Sequence, residues 1–289
     1  MMSVYLTLAS ANPVGHVTDK PIYNQWYFSN VTLMLLLSAA LTAWLIIPAA
    51  KRIKTGRART LDDYRAQGLR ANFVEVICLY LRDQVFRPML EDETDKYIPV
   101  LWTFFWFILI NNLLGLVPLI DITAMLGINP VDGVPVGIGG TATQSIWVTG
   151  ALATIAFVFI NGVGFAKDPI GYCKHMTAGA PVFMWPIMVP VEIIGTLVKP
   201  FALALRLFAN MTGGHIIVAT LLGFVVSLSM WKVGVGHGLA LLPLLGTVAI
   251  YLLEVLVAFI QAYIFTFLTG LFLSQLVVHD HGEHEGAAH

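Results

Sequence analysis

Three ionisable side chains stand inside long apolar stretches in the second half of the chain, and they are the residues best suited to chemistry. Arg206 lies between two leucines, His215 follows it, and Glu254 is the one charged residue from Gly238 to Val278. Arginine stays protonated under nearly all conditions, so it cannot escape an apolar environment by losing its charge. An ionisable group inside a membrane costs about 2.5–3.5 kcal/mol and usually marks an ion path. The three residues therefore mark a candidate ion path.

The spacing of the polar residues places them on defined helix faces. At roughly 100° per residue, a step of seven residues returns nearly to the same side of a helix. Glu192, Lys199 and Arg206 follow at this spacing. Asn210 lies one turn beyond Arg206. Three small residues run beside this polar stripe: Gly195, Ala202 and Ala209. Small residues let another helix approach closely in a membrane, so we expect this face to meet a partner, with a contact inside the chain as the alternative.

The other two ionisable residues lie elsewhere: His215 is on the opposite side of the same helix, and Glu254 is in the last apolar segment. His215 stands about 180° from Arg206 around the helix. In the last apolar segment, one side is shared by Thr247, Glu254, Gln261 and, further on, Gln275. His215 and Glu254 could form a buried ion pair that joins two helices. They could instead form a proton relay, since a neutral imidazole and a carboxylic acid both exchange protons.

Composition sets the class of protein. The chain has 289 residues, of which 57% are hydrophobic and 11% charged, whereas soluble domains carry about 25% charged residues. With a net charge of −1, the chain has no excess of basic residues of the kind that binds nucleic acid. Cys78 and Cys173 are too few and too far apart for a disulfide framework or a zinc site. We expect a membrane protein without a metal or cofactor.

The apolar stretches predict an all-α polytopic membrane protein with about five transmembrane helices in a single domain over 1–289, since about 20 apolar residues cross the bilayer core. The expected elements are an external segment at 1–26, spans at 27–50, 98–120 and 141–166, a surface helix at 69–88, long tilted helices at 181–230 and 238–278, and a disordered tail at 279–289. The 43 residues from Met184 to Val226 would extend roughly 65 Å as one helix, about twice the bilayer core. The last two segments must therefore tilt strongly, bend or break.

Charge asymmetry predicts the orientation. Lys51–Arg70 carries seven basic and two acidic residues, which places it in the cytoplasm. Asp121–Gly140 has no Lys or Arg and is expected outside, so the N-terminus is outside and the C-terminus cytoplasmic. Signal cleavage near the N-terminus remains an alternative.

Leu69–Arg87 mixes apolar and charged residues, which fits a helix on the inner membrane surface or a soluble connector. The composition of the tail His279–His289 predicts a solvated, disordered terminus, with transition-metal binding as the alternative.

Two stretches carry a family resemblance. "LRLFANM" (Leu205–Met211) and "LLEVLVAFIQAYIFTFL" (Leu252–Leu268) resemble subunit a of rotary F-type ATP synthases, with further agreement at "FILINNLLGLVP" (Phe107–Pro118). The resemblance covers most of the chain. It implies a stator subunit with two offset half-channels that pass protons to and from the carboxylates of the c-ring, coupling ion flow to rotation and ATP synthesis. It also implies the c-ring, subunit b of the peripheral stalk and the rest of the F1F0 complex as partners, in the lipid bilayer of a bacterial plasma membrane.

The resemblance assigns roles to the polar stripe. Arg206 matches the family's essential arginine, an electrostatic gate that faces the ring carboxylates. Asn210 follows it by one turn, and Gln261 matches a glutamine packed near that arginine. Glu192 and Lys199 match polar positions toward the cytoplasmic end of the long helix.

The resemblance also assigns the outer half-channel. His215 and Glu254 match a pair of channel positions, although the two residue types are exchanged relative to many bacterial members, as in mitochondrial members. Asn112 matches a polar lining position. Gly115 stands where some members carry aspartate, so that polar contribution is missing here or supplied elsewhere.

Other classes of protein make different demands on the sequence. The chain lacks the GxxxxGK[ST] phosphate loop, so we expect no nucleotide site and place catalysis in other subunits. A secondary transporter would carry substrate by itself, but no internal repeat supports this reading. A passive channel would conduct alone, and a structural scaffold would tolerate apolar residues at Arg206 and Glu254.

Overall fold

The computed structural model describes residues 30–52, 68–117, 142–167, 169, 172, 182–229 and 235–277. These residues form helices, and no strand occurs among them. The all-α fold class is therefore confirmed. The external segment at 1–26, the loop at 121–140 and the tail at 279–289 lie outside the described residues.

The helices follow the apolar stretches of the sequence closely. They are α1 (Asn30–Arg52), α2 (Leu69–Tyr80), α3 (Arg87–Leu90), α4 (Thr94–Leu116), α5 (Ile146–Lys167), α6 (Trp185–Ser229) and α7 (Val235–Val277). A π-helical stretch, Leu81–Phe86, joins α2 to α3, and short 3₁₀ turns occur at Glu91–Glu93, Ala142–Gln144 and Val182–Met184. Within the described ranges, five segments are long and apolar enough to cross a membrane: Val31–Pro48, Leu69–Leu116, Ile146–Lys167, Trp185–Leu228 and Gly238–Val277.

The two longest helices are continuous. α6 has 45 residues with Pro190 and Pro200 inside it, and α7 has 43 residues with Pro243 inside it. A lipid environment offers no water to satisfy broken backbone hydrogen bonds, so a long apolar segment gains by staying helical. The sequence left open whether these helices tilt, bend or break, and the structure shows that neither breaks in two. Their tilt in a membrane stays a prediction.

The described chain divides into two compact units. Unit 1 comprises the described residues within Met1–Ser38, Leu109–Thr149 and Leu205–Gln261. Unit 2 comprises those within Ala39–Ile108, Gly150–Ala204 and Ala262–His289. Every long helix except α2 therefore contributes residues to both units.

In unit 1, α6 and α7 pack in antiparallel fashion. A Cβ added at Gly246 of α7 would lie 3.8 Å from Leu221 of α6. A Cβ added at Gly214 would lie 2.9 Å from Cδ of Glu254. Moving forward along α6 from Gly214 to Leu221 thus corresponds to moving backward along α7, which defines the antiparallel register.

In unit 2, the segment predicted as a surface helix folds back along α4. The chain reverses at Glu91, whose φ of 48° is a left-handed value. Trp102 Nε1 then donates a hydrogen bond of 3.0 Å to the carbonyl oxygen of Cys78. The rings of Phe73 and Trp106 meet edge to face at 6.2 Å. The segment is helical and packed on one side, and its position at the membrane surface stays a prediction.

The last part of α7 completes the core of unit 2. The rings of Phe104 and Phe265 lie 5.8 Å apart. A Cβ at Gly270 would come within 2.5 Å of the Phe86 ring, so the close approach of the helices at this point requires glycine. Leu101, which is fully buried, would lie 3.6 Å from the same Cβ.

Candidate functional site

Arg206 lies on the exposed face of α6 in unit 1. Ala209 and Asn210, one turn further on, are exposed as well. Leu207 and Met211 bury the opposite side of the helix, with 1% and 4% of their surface exposed. The alternation follows from helical periodicity, because residues one apart point about 100° away from each other. The fixed cation and its small neighbour therefore face outward from unit 1.

Polar residues of α7 share one face, as their seven-residue spacing predicts, and the structure buries that face. Thr247, Glu254 and Gln261 expose only 4%, 7% and 7% of their surface. The hydroxyl of Thr247 donates to the carbonyl oxygen of Pro243 at 2.8 Å, within its own helix. Glu254 has no such local partner, because a carboxylate cannot donate to a backbone carbonyl in its ionised form.

The carboxylate of Glu254 rests against the backbone at Gly214. A Cβ at Gly214 would overlap the carboxylate, so glycine is what leaves room for it. Within the described chain, Oε2 of Glu254 is buried and has no hydrogen-bond partner. His215 is the next residue and is partly buried. The structure thus brings Glu254 to the turn of α6 that carries His215, and direct pairing of the two side chains stays a prediction.

The antiparallel register also fixes the level of Gln261. Gln261 lies seven residues after Glu254 on α7, and Arg206 lies eight residues before Gly214 on α6. These steps correspond to about 10 and 12 Å along helices that run in opposite directions. Gln261 therefore reaches the level of Arg206 in unit 1.

A second polar group of unit 1 lies at the end of α4. Asn112 is fully buried and accepts a hydrogen bond of 3.0 Å from the hydroxyl of Thr143, which is also fully buried. The amide nitrogen of Asn112 has no partner among the described residues, and neither polar atom of Asn111 has one. The sequence reasoning singled out Asn112 and missed Asn111 and Thr143. The consecutive asparagines inside an apolar run were the available signal.

Unit 2 holds a cavity of about 40 Å³, enough for about three water molecules. Its polar lining residues are Asn161, Tyr172, Glu192, Thr196, Lys199 and Gln275. The hydroxyl of Tyr172 donates a 2.8 Å hydrogen bond to Oδ1 of Asn161. Lys199 Nζ lies 4.8 Å from the centre of the Phe272 ring. Glu192 and Lys199 were predicted from the sequence, whereas Asn161 and Tyr172 were not.

Lys167 ties three ends of unit 2 together. Its Nζ lies 3.4 Å from Oε1 of Glu93, in the turn before α4. It also donates a 2.9 Å hydrogen bond to the carbonyl oxygen of Val277, the last residue of α7. A cation at the C-terminal end of a helix is electrostatically favourable. The contact therefore fixes the ends of α5 and α7 beside the start of α4.

These groups suit proton exchange next to fixed charge. Glu254, His215 and Glu192 can gain and lose protons, whereas Arg206 remains a cation. No group of three or more His, Cys, Asp or Glu side chains that could hold a metal ion occurs in the part of the chain that the structure describes.

Comparison with known proteins decides the family. The sequence model of the ATP synthase A chain family matches residues 32–274. The chain belongs to the ATP synthase A chain family. Every site residue predicted from the sequence lies inside the matched range, from Asn112 to Gln261.

Relatives in this family are similar over most of the chain. ATP synthase subunit a of Myxococcus xanthus (strain DK1622) is 38% identical over 258 residues, which cover 88% of this chain and 74% of the relative. ATP synthase subunit a of Chlorobium phaeobacteroides is 33% identical over 289 residues, covering 95% and 78%. That of Chloroherpeton thalassium is 40% identical over 216 residues, covering 74% of this chain and 57% of the longer relative. The resemblance seen in "LRLFANM" is thus confirmed at the level of the family.

Proposed function

We propose that this chain is the stator subunit a of a rotary F-type ATP synthase and passes protons to and from the carboxylates of a partner ring. The observation that carries the proposal is the exposure of Arg206 on an apolar helix, beside Ala209 and Asn210. A permanent cation on such a surface needs a counter-charge from outside the chain. Membership of the ATP synthase A chain family supports a ring of acidic groups as that counter-charge.

Proton uptake is assigned to unit 1. A proton from outside passes Asn112, His215 and Glu254 and neutralises a ring carboxylate. The neutral acid no longer carries the charge that makes exposure to lipid costly, so the ring can turn. The Oε2 atom of Glu254 is buried and has no hydrogen-bond partner among the described residues, which supports a role in which this carboxyl group binds passing water and exchanges protons with it.

Proton release is assigned to unit 2. After almost a full revolution the acidic group meets Arg206, and a nearby cation favours the ionised form of a carboxylic acid. The proton then leaves toward the cytoplasm through the cavity lined by Glu192 and Lys199. Water in that cavity, together with Asn161 and Tyr172, supplies hydrogen-bonding groups along the way.

Arg206 acts as the gate between the two paths. It cannot deprotonate, so it cannot relay a proton, and its charge repels one. One charge crossing 100 mV delivers about 2.3 kcal/mol, so several protons per revolution are needed to form ATP. ATP formation itself belongs to other subunits. The proposed setting is a bacterial plasma membrane with the N-terminus outside and the C-terminus cytoplasmic, and the further partners are the c-ring, subunit b and the rest of the complex.

The first prediction tests the gate. Arg206→Ala in the assembled complex is expected to abolish both ATP synthesis and ATP-driven proton pumping, because the ring carboxylates lose the cation that makes them release protons. The measurements are ATP synthesis under an imposed proton gradient and proton uptake by inverted membrane vesicles. Ile217→Ala, at another exposed position of α6 in unit 1, is the matched control and should retain activity.

Normal pumping by assembled Arg206→Ala complex would overturn the gate assignment. Proton conduction by this chain alone in liposomes would instead favour a passive channel. Carriage of a substrate under the same conditions would favour a secondary transporter. Full ATP synthesis and proton pumping with apolar residues at both Arg206 and Glu254 would favour the interpretation that the chain is only a structural scaffold.

A further inference from the structure

Asn111 is a buried amide that the proposed pathway does not use. It exposes 1% of its surface, and neither its oxygen nor its nitrogen has a hydrogen-bond partner in the described part of the chain. Burying an amide without hydrogen bonds costs free energy, and an apolar residue of similar size would avoid that cost. A buried amide with no partner among the described residues therefore indicates a group that binds something polar.

The neighbouring residue does not explain Asn111. Successive residues on a helix point about 100° apart, so Asn111 and Asn112 face different directions and cannot serve one partner in the same way. The oxygen of Asn112 accepts the hydroxyl of Thr143 at 3.0 Å, while its nitrogen is unpartnered among the described residues. The end of α4 in unit 1 thus presents two separate sets of open hydrogen-bonding atoms.

An asparagine side chain fits water on a proton path. It offers two N–H donors and a carbonyl acceptor, so it can hold one water molecule that donates and another that accepts. A chain of water molecules needs both donors and acceptors along its walls to keep the molecules oriented while protons move along it. A leucine at this position offers neither.

The helix face of Asn111 continues at Gly115. The two residues are four apart and therefore lie on the same side of α4, and Gly115 is also buried. Glycine brings no polar group of its own. Helical side chains lean toward the N-terminus, so an acidic residue placed at Gly115 would point back toward Asn111.

We infer that Asn111 is a further hydrogen-bonding residue for water on the proton-uptake path, additional to Asn112 and placed one turn before Gly115. The inference rests on the proposed function, because it assigns a residue to the path described there. It makes the polar end of α4 a binding site for water on two sides of the helix.

The first test is access by Ag⁺, which reacts with thiolates in water-filled paths. In the full complex carrying Cys78→Ser and Cys173→Ser, Asn111→Cys should make ATP-driven pumping sensitive to Ag⁺, as should Asn112→Cys. Leu109→Cys is the matched control, since Leu109 lies on the same helix and unit and exposes only 2% of its surface. It should stay insensitive, because an apolar wall excludes the ion.

The second test is the rate of ATP synthesis at equal amounts of assembled complex. Asn111→Leu should slow it roughly threefold to tenfold, the effect of losing one net hydrogen bond. Asn111→Ser should retain most of the rate, and adding Gly115→Asp to Asn111→Leu should restore part of it. A merely structural role would not respond to this restoration. Should Asn111→Leu fail to assemble, the Ag⁺ result decides.

The outcomes separate this inference from the proposed function. Sensitivity at Asn112→Cys with none at Asn111→Cys, or a normal rate for Asn111→Leu, overturns the inference and leaves the pathway intact. Insensitivity at both positions, together with normal pumping by Arg206→Ala, overturns the pathway itself.

Discussion

Units 1 and 2 both bury polar side chains among apolar helices, but most of the buried polar atoms that lack a hydrogen-bond partner among the described residues belong to unit 1. In unit 1, buried atoms of Asn111, Asn112, Thr212 and Glu254 have no hydrogen-bond partner among the described residues. In unit 2, the buried hydroxyls of Thr94, Thr266 and Thr269 donate to backbone carbonyls one turn earlier, at 2.7, 2.8 and 2.8 Å.

The charged residues of unit 2 have opposite charges close by. Asp83 Oδ1 is buried and has no hydrogen-bond partner among the described residues, but it lies 3.7 Å from Arg82 and 3.8 Å from Arg87. Arg82 in turn donates to Asp95 at 2.6 Å. An unsatisfied polar group in lipid costs on the order of several kcal/mol. The presence of such groups in unit 1 therefore indicates that they bind something other than their own helices. The difference indicates that the unsatisfied groups of unit 1 are candidates for contact with water, whereas the buried threonines of unit 2 stabilise their own helices.

The largest expected effect in this comparison is that of Glu254→Gln, which keeps the shape of the side chain and removes its ability to release a proton. Proton pumping should fall roughly 100-fold, the lower range for loss of a positioned proton-transfer group. Exchanging His215 and Glu254 together should restore part of the activity. The measurement is proton uptake by inverted vesicles. A double exchange no better than Glu254→Gln would remove support for a direct pair.

A smaller effect is expected when the space for that carboxylate is filled. Gly214→Ala places a Cβ where the Glu254 carboxylate now lies, and even a small misplacement of a reacting group lowers turnover roughly 10-fold or more. Gly213→Ala is the matched control, because a Cβ there meets no atom within 4 Å. The two variants add the same methyl group and differ only by one position. Equal pumping rates in the two would show that the position of Glu254 does not matter.

The smallest effect is expected in unit 2, where polar contacts hold the frame. Lys167→Met removes both the ion pair with Glu93 and the hydrogen bond to the Val277 carbonyl, and should destabilise the chain by about 1 kcal/mol. Pumping by correctly folded complex should change little. The measurement is the apparent unfolding temperature of the purified complex. Lys96→Met, which removes an exposed 3.6 Å contact with the same Glu93, should lower it less, and an equal loss would contradict the assignment.

Much of the fold followed from local sequence pattern. Apolar stretches of the right length predicted the spans, and α6 and α7 fill the two long segments. α4 begins at Thr94 rather than at 98, because Asp95 in its first turn favours a helix start through the helix dipole. Seven-residue spacing predicted that Thr247, Glu254 and Gln261 share one face of α7, since the backbone hydrogen bonds that set helical periodicity connect near neighbours. Only the structure shows that this face is buried.

The sequence by itself thus determined the helices, their faces and the family. Tertiary structure alone decided which faces meet. The carboxylate of Glu254 rests on Gly214, the hydroxyl of Tyr172 reaches Asn161, and Lys167 bonds to Val277 across 110 positions of the chain. Such contacts depend on the register between distant helices, which is set by packing of their side chains and leaves no periodic signal in either helix alone.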